Sequence, residues 1–398
     1  MNKFILWICF VLLSQMSFGQ HQSSRCLSDS VLEIYTNTAD YLLHQQMIQK
    51  GKNSRSEQKS ETIFTIPIVI HVLYKDAGEN ISLNQIQSQI EVLNEDYRLL
   101  NADTTNVEAG FSKADVAIEF CLATRDPNGN PTDGIIRTQT STDNIGLTNK
   151  YYQESPAWNR DLYLNIWVCD LGPNVAGFAF PPGSPADRDG VVIHYTNFGR
   201  VGNVQNNYDK GRTATHEVGH WLNLLHPWGS NESCSNDDGI ADTPNQGVIY
   251  ELCPTVPQSS CGSKDMLSNF MGYVFDRCMG NFTEGQKEAM RQAIVSSRTS
   301  LILSKGCVPV GINDLEKAQD IQIFPNPTKN KVSIQFDPSI EAIDFNISVF
   351  NQIGELVQTE PIISSNTIEL DLGRLEKGIY FIQFSSEKIN LSKKIVVL

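Results

Sequence analysis

Three histidines and one glutamate occur within eleven residues, HEVGHWLNLLH at 216–226, and their types and spacing suit a metal site. On a helix, His216 and His220 project from the same face about one turn apart. Neutral imidazoles at that spacing can share one zinc ion. Glu217 follows the first histidine, where its carboxylate can take a proton from a water on that metal without binding the metal itself. The motif therefore predicts metal-assisted hydrolysis.

His226 is the obvious third ligand, and its position constrains the backbone. If the helix continued, His226 would lie about 120° from the ligand face and about 9 Å further along the axis. The helix must therefore end soon after His220, and the chain must turn sharply. We expect the turn at Asn223, because asparagine tolerates positive φ better than any residue except glycine. The strain of about 1 kcal/mol is small beside the free energy of a bound metal.

Length, charge and the first twenty residues limit the class of protein. A chain of 398 residues is long enough for two or three domains. A net charge of −14 argues against nucleic acid or an anionic membrane as the main partner. MNKFILWICFVLLSQMSFGQ has the pattern of a secretory signal peptide, with cleavage expected after Gly19. Its apolar run is too short for a transmembrane anchor, so we expect an exported, soluble protein.

Cysteine usage agrees with export. Once Cys9 in the signal peptide is set aside, eight cysteines remain, and an oxidising compartment favours disulfides. Four of them, at 234–278, follow the histidine motif closely. A structural zinc site made of these four is the alternative, but they lack the paired C-x-x-C spacing of such sites.

The chain divides into segments of different pattern. Residues 20–60 are polar around one amphipathic stretch, SDSVLEIYTNTADYLLHQQM, and end in the charged GKNSRSEQKSE, which contains Arg55. This segment is interpreted either as a propeptide with its cleavage loop or as a frayed N-terminal helix. Residues 307–320 are interpreted as a linker.

Residues 61–306 are predicted to form an α/β unit with a mixed sheet. IFTIPIVIHVLY suits a buried strand, and ISLNQIQSQIEVLNEDYRLLN has helical spacing of apolar residues. VAIEFCLA, GIIRT, LYLNIWVCDL and GVVIHY are predicted strands. The histidine motif lies on the next helix, and TEGQ at 283–286 has the form of a capping box for the last one.

Residues 321–398 show short strands with period-two alternation, namely KVSIQF, FNISVF, TIELDL, GIYFIQF and KKIVVL. Turn residues such as NPTKN and SSN separate them. The pattern predicts a small all-β sandwich of immunoglobulin-like type.

The motif HEVGHWLNLLH resembles the metzincin zinc proteases, whose pattern is H-E-x-x-H-x-x-G-x-x-H, with Asn223 in place of the glycine. SNFMGYVFDRCM, at 268–279, is similar to a second metzincin feature. The resemblance implies that Met271 is the Met-turn residue, an apolar floor under the metal. It also implies that Tyr273 lies near the zinc and stabilises the reacting oxyanion.

More closely, the chain resembles the pappalysin family over residues 62–305. The matching stretches are TIPIVIHVLY, DGVVIHYTNFG, HEVGHWLNLLHPWG, CSNDDGIADTPNQ and KDMLSNFMGYVFDRCMGNFTEGQ. The resemblance implies the disulfides Cys234–Cys261 and Cys253–Cys278. It also implies a calcium ion at Asp238 and Thr243, whose oxygen atoms on an irregular loop suit a hard cation.

One departure from the family concerns specificity. Members that cleave beside Arg or Lys carry an acidic residue immediately before the fourth of these cysteines. Here that position is Arg277, and Asp276 precedes it. A cation in the specificity pocket would repel a basic side chain, which argues against basic specificity.

Cys26, in SSRCLSDSVLE, resembles the propeptide cysteine with which some relatives cap the zinc. A thiolate there would occupy the position of the water and keep the zymogen inactive. The alternative is a disulfide with Cys307 or another cysteine. If Cys26 is the switch, an odd number of cysteines remains, Cys121, Cys169 and Cys307, and the sequence does not pair them.

The C-terminal unit resembles the sorting domain of the type IX secretion system of Gram-negative bacteria. The carrying stretches are IFPNPTKNKVSI, ISVFNQIGELV, LDLGRLEKGIYFIQF and the terminal KKIVVL. The resemblance implies export through the periplasm, contact with outer-membrane secretion machinery, and release or attachment at the cell surface. An accessory domain that binds sugar or protein is the alternative.

Together these features predict a secreted zinc endopeptidase that acts on proteins or peptides. One alternative is a catalytically inactive binding protein or adhesin on the same fold, although Glu217 and all three histidines are present. Another is a zinc hydrolase of non-peptide substrates, against which the long cleft of the resembled family argues.

Overall fold

The structure is a computed structural model that describes residues 25–53, 62–309, 321–336, 345–352, 355–363, 367–385 and 390–398. The predicted signal peptide, Arg55 with most of its charged stretch, and most of the predicted linker lie outside the described residues. Within the described ranges, no helix has the length and apolar character needed to cross a bilayer.

The amphipathic stretch near the N-terminus forms two helices, α1 (Ser28–Tyr35) and α2 (Ala39–Asn53). A short turn separates them, in which the backbone N–H of Thr38 donates to the carbonyl of Tyr35. Cys26 and Ile48 are 3% and 1% exposed, so both ends of this N-terminal segment (residues 25–53) are packed against the rest of the chain.

A six-stranded sheet forms the centre of the α/β unit (residues 62–306), as the sequence predicted. Its strands run in the order β2-β1-β4-β6-β5, and β3 pairs with the second half of β1 on the same side as β2. Every pair is parallel except β5–β6, so the sheet is mixed. The strands are β1 (Phe64–Tyr74), β2 (Ile118–Leu122), β3 (Ile135–Gln139), β4 (Leu164–Cys169), β5 (Gly177–Ala179) and β6 (Gly190–His194).

Four helices accompany this sheet: α3 (Leu83–Tyr97), α4 (Tyr151–Glu154), α5 (Arg212–Trp221) and α6 (Glu284–Ser297). Every residue of α5 is buried, and α5 packs against β5 and β6. The predicted capping box of α6 is confirmed, because Thr283 and Gln286 bond reciprocally to each other's backbone. Short 3₁₀ turns lie at Ala102–Asn106, Ile145–Leu147, Tyr195–Asn197, Asp276–Cys278 and Thr299–Leu303.

The edge strand β5 and the short helix α4 are elements of the α/β unit that the sequence analysis missed.

Of the two, β5 bears on the site. It has only three residues, too few for a period to show. It is nevertheless important for position, because it runs beside α5 and pairs in parallel with the N-terminal segment at Cys26 and Gly177.

Three disulfides lie in the described part of the chain. Cys234–Cys261 and Cys253–Cys278 link the loops after the histidine motif, with the pairing that the family resemblance implies. Cys121–Cys307 joins β2 to the end of the α/β unit, a pairing that the sequence left open. Cys26 and Cys169 are buried thiols outside these bridges.

The C-terminal unit is all-β. It has a four-stranded sheet in the order β10-β9-β12-β13 and a three-stranded sheet in the order β11-β8-β7. Both sheets contribute to one apolar core, so they form a sandwich. Its strands are β7 (Ile321–Phe324), β8 (Lys331–Phe336), β9 (Phe345–Asn351), β10 (Leu356–Ile363), β11 (Thr367–Asp371), β12 (Gly378–Ser385) and β13 (Asn390–Val397).

The disulfide Cys121–Cys307 should stabilise the α/β unit strongly, because it closes a loop of 186 residues and so restricts the unfolded chain. Replacing both cysteines by alanine should lower the free energy of unfolding by about 2–5 kcal/mol, measured by urea denaturation without reductant. Cys169→Ala is the control, since it removes a buried thiol but no bridge. A double variant that unfolds at the wild-type midpoint would contradict the prediction.

Candidate metal centre

The three histidines of the motif meet at one point. Helix α5 presents His216 and His220, and the chain beyond it returns His226 to the same place. The three Nε2 atoms form a triangle with sides of 3.0, 3.0 and 3.2 Å. Zinc with tetrahedral nitrogen ligands at about 2.0–2.1 Å needs nitrogens roughly 3.3 Å apart, so the donor set fits that metal.

The other ring nitrogens fix the tautomers. Nδ1 of His216 lies 2.8 Å from the carbonyl oxygen of Phe270, and Nδ1 of His220 lies 2.8 Å from that of Leu224. A carbonyl only accepts, so each Nδ1 carries the proton and each Nε2 keeps its lone pair for a metal. Burial lowers the pKa of His220 to about 3 and lowers that of His216 well below its ordinary value, which keeps both rings neutral.

Asn223 makes the turn that brings His226 back. Helix α5 ends at Trp221, and Asn223 has φ of 73°, in the left-handed region. The predicted positive φ at this position is confirmed. The N–H of Leu224 donates to the carbonyl of Gly219 at 3.0 Å, which closes the end of the helix.

The side chain of Met271 packs against a glycine of α5 that the sequence analysis did not single out. Met271 is fully buried, and its sulfur lies against Gly219, whose sequence position is between His216 and His220. A Cβ at residue 219 would be 2.5 Å from Met271 Sδ. Because real Cβ atoms do not approach a heavy atom so closely, alanine at residue 219 would require the Met271 side chain to shift.

Glu217 points into the site beside the histidine triangle. Its Oε2 accepts from Ser28 Oγ at 2.8 Å and from Cys26 Sγ at 3.3 Å. Its Oε1 is buried and accepts no hydrogen bond from the described residues. Burial raises the pKa of Glu217 to about 8, and the two hydrogen bonds only partly offset that effect.

The N-terminal segment covers the site from outside. Cys26 Sγ and the three histidine nitrogens lie within 4.8 Å of one another, and all four residues are buried. Nδ1 of His226 lies 3.0 Å from a carboxylate oxygen of Asp29. Tyr273 Oη donates to the carbonyl of Cys26 at 3.4 Å. Ser28 and Asp29 were missed by sequence reasoning, although their closeness to Cys26 in the sequence was a usable signal.

The side chain of Arg25, the residue before Cys26, is buried against the chain near the start of α5. Its Nη2 donates to Asp276 Oδ1 at 3.0 Å, with the two side chains 5% and 0% exposed. The guanidinium also lies over the ring of Tyr208, 4.9 Å from its centroid. Asp276 Oδ2 accepts from the backbone N–H groups of Lys210 and Arg212 at the start of α5.

Arg277, the position that the sequence analysis assigned to specificity, is exposed. It donates to Asn207 Oδ1 and lies over the ring of Phe275. Its neighbour Asp276 is buried, because the 3₁₀ turn at Asp276–Cys278 directs adjacent side chains to different sides. Asp276 therefore faces Arg25, and Arg277 faces solvent.

The predicted calcium ligands lie together on a loop away from the histidines. Thr243 Oγ1 is 2.8 Å from both carboxylate oxygens of Asp238, and both residues are largely buried. Burial raises the pKa of Asp238 to about 6, against the effect of its hydrogen bonds.

Comparison with known proteins identifies the family. A family model described as Pregnancy-associated plasma protein-A matches residues 146–295. Extracellular metalloproteases of Arthroderma benhamiae and Arthroderma otae are 33% and 32% identical over 238 residues, which is 58% of this chain and 77% of each relative. The chain belongs to the pappalysin family. It is therefore a metalloendopeptidase. A second family model, described as a secretion system C-terminal sorting domain, matches residues 322–398.

Two solved structures extend the likeness. Mature mirolysin of Tannerella forsythia, in complex with a cleaved peptide, is 47% identical with a TM-score of 0.58 and covers 61% of this chain and 97% of its own. A promirolysin mutant of that organism is 44% identical with a TM-score of 0.62 and covers 70% and 97%. The pro form thus matches a larger share of this pappalysin than the mature form does.

Gly219→Ala should weaken metal binding if Met271 is the Met-turn residue that the family resemblance implies, because the new Cβ displaces the Met271 side chain. We expect the metal dissociation constant to rise about ten- to hundredfold, measured by competition with a chromogenic chelator. Gly219→Ala combined with Met271→Ala makes room for the Cβ and should recover part of the loss. Unchanged affinity in the single variant would show that Met271 does not position the ligands.

Proposed function

We propose that this pappalysin is a secreted zinc endopeptidase in which His216, His220 and His226 hold zinc and Glu217 is the general base. The observation that carries the proposal is the convergence of three histidine Nε2 atoms beside a buried carboxylate. The protein or peptide substrate would enter along the cleft that the N-terminal segment fills in this structure.

Each residue has a separate task in peptide hydrolysis. Zinc held by the three nitrogens would act as a Lewis acid and would lower the pKa of a water at the remaining position. Glu217 takes one proton from the attacking water as the new C–O bond forms, and returns it to the leaving nitrogen as the C–N bond breaks. Tyr273 donates a hydrogen bond to the substrate carbonyl oxygen as negative charge develops there. In this structure the same hydroxyl donates to the carbonyl of Cys26.

We propose that the described N-terminal segment belongs to a propeptide spanning residues 20–60, with Cys26 as its zinc ligand in the latent enzyme. Cys26 Sγ lies within 4.8 Å of the three histidine nitrogens, which supports this role. Ser28 donates a hydrogen bond to the Glu217 carboxylate, and the Asp29 carboxylate pairs with His226. Removal of the propeptide would therefore free the metal position, the base and the cleft together.

The specificity proposal follows from the buried ion pair between Arg25 and Asp276. Once the propeptide leaves, the buried Asp276 Oδ1 loses its guanidinium partner, and Tyr208 loses the guanidinium that lies over its ring. An unpaired buried carboxylate is costly, so a substrate side chain with a guanidinium would restore the pair. We propose cleavage of peptide bonds next to arginine.

The remaining segments receive proposed roles. Residues 1–19 are the signal peptide, 61–306 the catalytic domain, 307–320 a linker and 321–398 an immunoglobulin-like sorting domain. The sorting domain would be read by the outer-membrane type IX machinery of a Gram-negative bacterium after passage through the periplasm. A structural calcium ion is proposed at Asp238 and Thr243, whose oxygen atoms are already close together.

The rival function is an inactive binding protein on this fold, and Glu217 decides between the two. The activated wild-type enzyme should contain one zinc per chain and cleave casein. Glu217→Ala should retain zinc but lose activity by at least about a thousandfold, because the water and the leaving nitrogen lose their proton carrier. Equal casein cleavage by the two proteins would refute the mechanism, and no cleavage by either would favour the binding protein.

Asp276→Asn tests the specificity proposal and has a matched control next to it. The variant keeps an oxygen for the backbone donors of α5 but loses the charge. Its preference for arginine over leucine substrates, as a ratio of kcat/KM values, should fall about ten- to hundredfold. Arg277→Ala, at the exposed neighbour, should leave the ratio unchanged. A changed ratio in Arg277→Ala and none in Asp276→Asn would reverse the assignment.

A further inference from the structure

The side chain of Asn223 has a partner that the metal site does not require. Its Oδ1 accepts from Gln45 Nε2 at 2.6 Å, and its Nδ2 lies 3.3 Å from Gln45 Oε1. The two amides thus form a reciprocal pair between the turn of the zinc motif and helix α2 of the N-terminal segment. Glycine, which the motif has at this position, would make the same turn but would leave Gln45 without this partner.

Two further contacts hold α2 on the catalytic domain. His44 Nδ1 lies 2.6 Å from Ser297 Oγ, at the end of α6. Gly183, on the loop between β5 and β6, has φ of +94°, and a Cβ there would lie 2.6 Å from Tyr41 Cα. The backbone of α2 therefore packs directly on a glycine whose missing side chain makes room for it.

These contacts come from three separate parts of the catalytic domain: the loop before β6, the turn of the zinc motif and the end of α6. Ile48, 1% exposed, shows that the helix is seated rather than loosely attached. Together with Gly183 and Ser297, Asn223 forms what we call the α2 site. Its occupant is residues 39–53 of the same chain, and none of the three residues touches Cys26 in the contacts described.

We propose that Asn223 is a docking residue with which the catalytic domain recognises α2, so that the α2 site is a second attachment point of the propeptide beside Cys26. The proposal rests on the proposed latency through Cys26. Residues 36–38 are the short connection between α1 and α2, so α2 in its site keeps Cys26 at a high effective concentration near the zinc ligands. Release of either point weakens the other.

The exposure of the Cys26 thiol in the intact zymogen measures this attachment. All variants carry Glu217→Gln, so that none can process itself, and labelling of Cys26 by a maleimide is followed by peptide mass spectrometry. Gln45→Ala should speed the labelling about three- to tenfold, as expected for loss of a half-buried amide pair. Gln46→Ala is the matched control, because Gln46 is an exposed neighbour on the same helix, and it should label at the wild-type rate.

A double-mutant cycle separates docking from helix stability. Asn223→Gly should speed labelling of Cys26 as much as Gln45→Ala does, and it should retain its zinc. In the double variant, Gln45→Ala should add no further increase in the labelling rate. Wild-type labelling with Gln45→Ala, equal effects of Gln45→Ala and Gln46→Ala, or effects that simply multiply in the double variant would each overturn the proposal. So would loss of zinc from Asn223→Gly, since Asn223 would then serve the metal site.

A chelator distinguishes this proposal from the latency on which it rests. If Cys26 is a zinc ligand, removal of zinc should speed its labelling in the zymogen that carries Glu217→Gln alone. If chelation leaves the rate unchanged, latency through Cys26 is wrong, while the comparison of Gln45→Ala with Gln46→Ala still decides whether α2 is docked through Asn223.

Discussion

The convergence of three Nε2 atoms within 3.2 Å of one another is the constraint on which the rest of the structure depends. Two of the rings lie one turn apart on α5, and the third can join them only if the helix ends and the chain reverses. Asn223 makes that reversal with its backbone in the left-handed region. The next residue, Leu224, supplies the carbonyl that orients His220. Burial of all of α5 disfavours the charged form of the rings and so keeps His216 and His220 neutral.

The same constraint explains the surroundings of the helix. Gly219 lies against the sulfur of Met271. The carbonyl of Phe270, the residue before Met271, orients His216. Asp276 accepts hydrogen bonds from two backbone N–H groups at the start of α5 and also forms an ion pair with Arg25. One carboxylate thus links the position of the helix to the specificity that we propose. The disulfide Cys253–Cys278 lies two residues further on and fixes that turn.

Much of this could be predicted from the sequence, since it depends on spacing and residue type. The histidine spacing requires a turn, and asparagine tolerates that turn, so the geometry at Asn223 followed from local chemistry. Strands β1 and β4 could be predicted because they are almost wholly apolar. The capping box of α6 could be predicted because it depends on two residues only three positions apart.

Long-range or very short features could not be predicted. Cys121 and Cys307 pair over 186 residues, and a single sequence holds no signal for that choice. The sides to which Asp276 and Arg277 point depend on one 3₁₀ turn, whose direction the residue types do not encode. The contact of Gln45 with Asn223 joins residues 178 positions apart and depends on how α2 is seated. Sequence reasoning located Asn223 correctly but could assign it only the task of turning the chain.

The proposed latent enzyme has one metal with three imidazole ligands and one thiolate. X-ray absorption at the zinc edge of the purified zymogen tests this directly. We expect about three nitrogen neighbours at about 2.0–2.1 Å and one sulfur at about 2.3 Å, with the sulfur replaced by oxygen after the propeptide is removed. A zymogen spectrum without sulfur, or one dominated by several sulfur neighbours, would contradict it.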